Sequence, residues 1–196
     1  MGTTQGFGKK RTRPTWGSRE GWGRIDAVSA HLEAVAAEVE GFVGQGGWNQ
    51  RPALFALVDT AAFLANEPDT AARLGLDGRS AFTPIEQEEL PDAPLDDVLA
   101  QVGWPEGVAG CALSQEIVFL PPDADGTLPD DHTAADVAAA HPERREGRLV
   151  VAVLRDGSSA SLLRVRDQDG GMEELLTGPD LAPNLVAALL ATLQAE

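Results

Sequence analysis

The spacing of apolar residues along this chain changes several times, and each change predicts an element. Ile25, Val28, Leu32, Val35, Val39 and Phe42 recur at intervals of three and four. That is one stripe of an amphipathic helix over 25–43. Asp26, Glu33, Glu38 and Glu40 fall off the stripe, and Gly44, Gly46 and Gly47 end it. Residues 53–58 form an apolar run suited to a buried strand. Residues 59–66 either prolong it or turn into a short helix, and one long strand broken near Asp59 is the reading adopted. Residues 82–90 contain Pro84, which suits an edge strand. Leu95, Val98, Leu99 and Val102 predict a short helix over 94–102, with Pro94 near its start. In 107–120 the alternate residues Ala109, Cys111, Leu113, Ile117 and Phe119 make one apolar face at period two, the mark of a strand.

The strongest local signal lies in 148–166, RLVVAVLRDGSSASLLRVR. Two apolar runs flank Asp156-Gly157, and Asp-Gly favours a type I′ hairpin because both central residues need positive φ. With those two residues as the turn, Arg155 faces Ser158. Val150, Ala152, Leu154, Leu163 and Val165 then share the core face. Leu149, Val151, Val153 and Leu162 share the other face with Arg155, Arg164 and Arg166. Residues 167–180 read as a polar link. Leu181, Leu185, Leu189 and Leu193, widened by Val186 and Leu190, predict a last helix over 181–193 with Pro183 in its first turn. Residues 121–147 read as an acidic loop carrying a short helix over 133–140 capped at Thr133. This order predicts an α+β fold: an antiparallel or mixed sheet with helices mainly on one face, in a single domain over 25–196.

The chain has 196 residues, enough for a self-sufficient core, and a formal net charge of −16. The charge is uneven. Residues 1–24 hold six cations against Glu20, so they carry +5 and the remainder carries −21. So acidic a body repels phosphate, which argues against nucleic-acid binding by the domain. Residues 1–24 are basic and glycine-rich, with little to bury, and read as a disordered tail. Phe7, Trp16 and Trp22 among the cations would allow weak RNA contact by charge and stacking. The one cysteine, Cys111, rules out an intrachain disulfide. No apolar stretch is long enough to cross a membrane, no secretory signal is present, and the cytoplasm is the expected compartment.

Candidate chemistry is sparse. Glu86, Glu88 and Glu89 cluster after Pro84, but paired carboxylates become acid and base only when one is desolvated. A small enzyme would need a cleft around Glu86, Glu88, Asp130 and His132. Asp130, Asp131, His132, Asp136 and His141 suggest a metal site, with Asp136 four residues after His132, but they lack the spacing of established metal motifs. Cys111 lies on an apolar strand face, where a thiol is an inert hydrophobe. His31 reads as a surface or boundary residue. There is no GxxxxGK[ST], GxGxxG, GxSxG, HExxH or CxxC, and no tyrosine. The sequence therefore assigns no catalytic, cofactor-binding or metal-binding residue.

Five blocks, RPALFALVDTA, FTPIEQEELP, WPEGVAGCAL, HPERREGRLV and LLTGPDLAPNLVAALLATL, resemble an uncharacterised family of actinobacterial proteins of about this length. The frequent Ala, Gly and Arg are what a GC-rich genome gives. The resemblance spans most of 48–193, leaves out the basic tail, and implies no activity and no catalytic residues. The element order is similar to the α+β fold of type III secretion chaperones, which implies an exposed sheet or groove for a partner. The expected role is a non-catalytic protein-interaction or chaperone-like module, acting on a protein partner or as a homodimer.

Overall fold

A computed structural model describes residues 19–120, 141–142, 144–167, 173–178 and 181–194. Six strands form one antiparallel sheet in the order β2-β1-β3-β4-β5-β6. The strands are β1 (Ala53–Asp59), β2 (Phe82–Glu86), β3 (Gly110–Phe119), β4 (Arg145–Leu154), β5 (Ser159–Val165) and β6 (Glu174–Thr177). Among the described residues the helices are α1 (Arg19–Gly44), α2 (Thr60–Asn66), α3 (Pro68–Arg73), α4 (Leu95–Leu99) and α5 (Pro183–Gln194).

The α+β class and the antiparallel sheet are as the sequence predicts, but the helices do not share a face. Val35, Val39 and Val43 of α1 pack with Phe55, Ala112, Ala152 and Leu162. Leu189 and Leu193 of α5, with Leu99 of α4, pack with Leu54, Cys111, Val151 and Val165. Register confirms opposite faces: Phe55, Ala112, Ala152 and Ala160 lie in one cross-strand row, and their neighbours Leu54, Leu113 and Val151 in another. Each face of the central strands buries apolar side chains, so β4 is buried at every position from Gly147 to Leu154.

Several local expectations need correction. The β4–β5 loop has three residues, 155–157, because the Leu154 N–H donates to Ser158 O (2.9 Å) and the Gly157 N–H to Leu154 O (3.0 Å). Val153 therefore faces Ser159, one position off the predicted register. Leu162 moves to the face of Val150, while Leu163 and Val165 join Val151. A three-residue loop also places Gly157 at positive φ (+89°), so Asp-Gly does not distinguish the two hairpins. Arg155 falls on the α5 face, and Arg164 on the α1 face.

The expected strand across Asp59 ends there instead. The Asp59 Oδ1 accepts the Ala62 N–H at 2.8 Å, capping α2. On α1 the buried stripe ends at Val43 rather than Phe42, which is 52% exposed, and Glu40, placed off the stripe, is buried. α1 also starts at Arg19, inside the stretch read as tail. Finally, β6 forms in what reads as a polar link, while Leu181 lies outside α5. The predicted helix over 133–140 lies outside the described residues.

Candidate functional site

The most developed polar cluster joins the C-terminal end of α1 to the sheet. Glu116, Arg148, Arg164 and Leu175 form one row across β3, β4, β5 and β6, on the face that α1 covers. Glu40 descends onto this row from α1 and is 3% exposed. Arg164 donates from Nε and Nη2 to its two carboxylate oxygens, each at 2.6 Å. Such a two-pronged contact is the strongest geometry open to an Arg–carboxylate pair. These bonds to Glu40 hold the Arg164 guanidinium above its ordinary pKa. Arg148 Nη1 adds a third bond to Glu40 at 3.3 Å.

Arg148, 2% exposed, organises the turn after α1. Its Nη2 donates to Gly47 O and lies 3.6 Å from Glu116 Oε1. Its guanidinium covers the Trp48 ring at 4.7 Å, and Arg166 approaches the same ring at 5.4 Å. Glu116 accepts the N–H of Asn49 (2.9 Å) and of Gln50 (3.1 Å). Gln50 in turn donates from Nε2 to Val43 O at 2.7 Å. At Gly44 a Cβ would come within 3.2 Å of Arg148 Nη1 and 3.6 Å of Glu40 Oε1, so a side chain there would press on the pair. An open cleft of about 310 Å³ runs beside the cluster, between Gly41, Gln45, Trp48 and Glu173. Glu173 also pairs with Arg164 at 3.3 Å.

This arrangement joins elements and does not suggest a reaction centre. The Glu40 oxygens are committed to two guanidinium groups, and neither a nucleophile nor a histidine lines the cleft among the described residues. The sequence carries no sign of the cluster, because Glu40 and Arg164 are 124 positions apart and neither sits in a motif.

Among the described residues singled out in the sequence, Glu86 does not share a cleft with Glu88 and Glu89. Glu86 lines a small cleft with Phe42, Pro84 and Glu38, whose carboxyl burial pushes up. Glu88 lines a different cleft of about 620 Å³ with Leu90 and Trp104, and Glu89 pairs with Arg51 at the surface. Asp130, Asp131, His132 and Asp136 lie outside the described residues, as does the tail before Arg19. Among the described residues no group of three or more His, Cys, Asp and Glu could hold a metal ion. His31 is exposed. Cys111 is fully buried against Leu189 and Thr192, and burial pushes its thiol up to about 11. No described helix is long and apolar enough to cross a membrane.

A second surface adjoins the cleft. All four β6 residues are exposed, and the apolar Leu175 (48%) and Leu176 (37%) lie on its two faces. The Gly178 N–H donates to Ser161 O. With that ladder bond, the register puts 176 and 174 in hydrogen-bonded pairs with β5 and leaves Leu175 and Thr177 in the alternating non-bonded pairs. The N–H and C=O of Leu175 and Thr177 therefore point away from β5, along an edge that no described strand pairs with.

The model of the PPA1309-like protein family matches residues 32–194, so the chain belongs to that family. No curated protein and no solved structure matches it.

Proposed function

We propose that this member of the PPA1309-like family is a non-catalytic, chaperone-like interaction module of the cytoplasm that receives an extended segment of a partner protein along β6. The observation that carries this reading is the edge left unpaired among the described residues: outward backbone groups at Leu175 and Thr177, flanked by an exposed leucine on each face. An unprotected edge strand is a template for another strand, with backbone bonds supplying affinity and side-chain contacts supplying selectivity. On the α1 face an added strand would run beside Leu175 and next to the cleft at Glu173, which offers a place for its side chains. The buried Glu40–Arg164–Arg148 cluster supports the reading by fixing β5, on which β6 is built.

Selection of random peptides of about twelve residues on the full chain tests it. Enriched peptides should lose at least ten-fold in affinity for Leu175→Pro. That change removes an outward N–H and leaves the β5 ladder intact. Peptides that bind Leu175→Pro as well as the parent, or a selection that enriches none, overturn the reading.

A further inference from the structure

On the face that α5 covers, toward the sheet edge opposite β6, a cleft of about 620 Å³ opens between residues 87–91 and the C-terminal end of α4. Leu54 of β1 lies in its floor and is 3% exposed. Leu90, Val102 and Trp104 are half-buried: they pack on the core below and line the cleft above. Such a volume over apolar walls suits a ligand. The walls are also fixed. The Trp104 Nε1–H donates to Thr192 Oγ1 at 2.9 Å, and the Thr192 hydroxyl donates to Leu189 O at 2.7 Å. Pro91, Pro94 and Pro105 restrict the backbone on either side. A groove shaped in advance lowers the ordering cost of binding.

The rim is one-sided in charge. Residues 80–110 contain seven acidic residues and no Lys, Arg or His. Glu88 and Glu89 line the cleft, and Asp92 and Asp96 line neighbouring clefts that share Pro91 and Val102 with it. The cations that reach this surface are already committed. Arg51 pairs with Glu89 at 2.9 Å. Arg155 donates to Val108 O (2.8 Å), to Trp104 O and Pro105 O (3.1 Å each) and to Leu193 O. Among the described residues no cation pairs with Glu88, which is exposed. An acidic rim over an apolar floor matches a ligand that brings apolar surface and positive charge together. A second copy of this chain does not, since each copy carries −16.

We propose that this groove docks a basic, apolar segment of a partner protein, with apolar side chains seated on Leu90, Val102 and Trp104 and a Lys or Arg set against Glu88. Burial against the fixed indole supplies the affinity, and the charge at the open rim supplies selection and speeds the encounter. The site lies apart from β6 and does not depend on the reading of that edge.

Random peptides of about twelve residues, selected on the full chain and titrated by fluorescence anisotropy, provide the test. One class of enriched peptides should carry Lys or Arg beside apolar residues. These should lose at least ten-fold in affinity for Glu88→Lys, where like charges then face each other. They should change less than two-fold for Glu33→Lys, the same change of charge at an exposed position of α1 on the opposite face. They should also bind Leu175→Pro as well as the parent, which separates them from any peptides held at β6. On titration of these peptides the indole N–H resonance of Trp104, assigned through Trp104→Phe, should shift. Equal losses for Glu88→Lys and Glu33→Lys overturn the proposal, because they show attraction to the acidic body as a whole. An unmoved Trp104 resonance overturns it too, as does a selection that yields no peptide sensitive to Glu88→Lys. A dimeric mass in sedimentation that Glu88→Lys abolishes would put a second copy in the groove and likewise overturn it.

Discussion

The two carboxylate oxygens of Glu40 each receive a hydrogen bond from Arg164 at 2.6 Å, across 124 positions of sequence. Arg148 shares the same carboxylate, so one acidic residue of α1 bridges the cations of two strands, with Glu116 and Glu173 supplying further negative charge. A buried ion pair contributes little over a well-packed apolar one, but breaking it strands the partner charge.

Glu40→Gln should therefore destabilise the chain by about 3–5 kcal/mol, since it keeps the shape and leaves the buried Arg148 with only the more distant Glu116 carboxylate, 3.6 Å away. Denaturant unfolding measures this. Arg79→Ala, which removes an exposed pair with Asp77, should change stability by no more than about 0.5 kcal/mol. Equal effects from the two substitutions would contradict the buried cluster.

Val151→Asp should unfold the chain. Val151 is fully buried in β4 under α5, and an unpaired charge there costs several kcal/mol. A circular dichroism melt matching the parent would place this strand at the surface.

Two glycines should respond differently to alanine. A Cβ at Gly157 meets nothing within 4 Å, so Gly157→Ala carries only the strain of φ +89°, about 1–3 kcal/mol. A Cβ at Gly110 would collide with the Val153 carbonyl oxygen and with Leu154, across the β3–β4 ladder. Gly110→Ala should be the more damaging of the two in thermal melts.

Cys111 should be unreactive in the folded chain. Burial raises its thiol from an ordinary value of 9.0 to about 11. The folded form thus holds its proton more tightly than the unfolded one. This contribution to stability is complete below pH 9 and is lost as pH rises toward 11. Thiol labelling at pH 8 should be slow in the native state and rapid in denaturant, and midpoint temperatures should decline above pH 9. Fast labelling of the native protein would place the thiol outside the core.

Several elements are legible in the sequence because burial writes its period into composition. Leu32, Val35 and Val39 mark the inward side of α1, and Cys111 and Leu113 mark one face of β3. Pro84 restricts β2 to an edge, where it lies. The turn at Asp156-Gly157 is legible too, but its register is not. Alternation identifies a face only when one side is polar, and β4 is apolar on both. A one-residue slip therefore costs nothing visible in the sequence, and packing of α1 and α5 on opposite faces decides it. The same holds for the polar cluster. Glu40 and Arg164 carry no shared pattern along the chain, and only the fold brings them to bonding distance. β6 has four exposed residues and too little apolar contrast to show a period, so only its ladder with β5 makes it a strand.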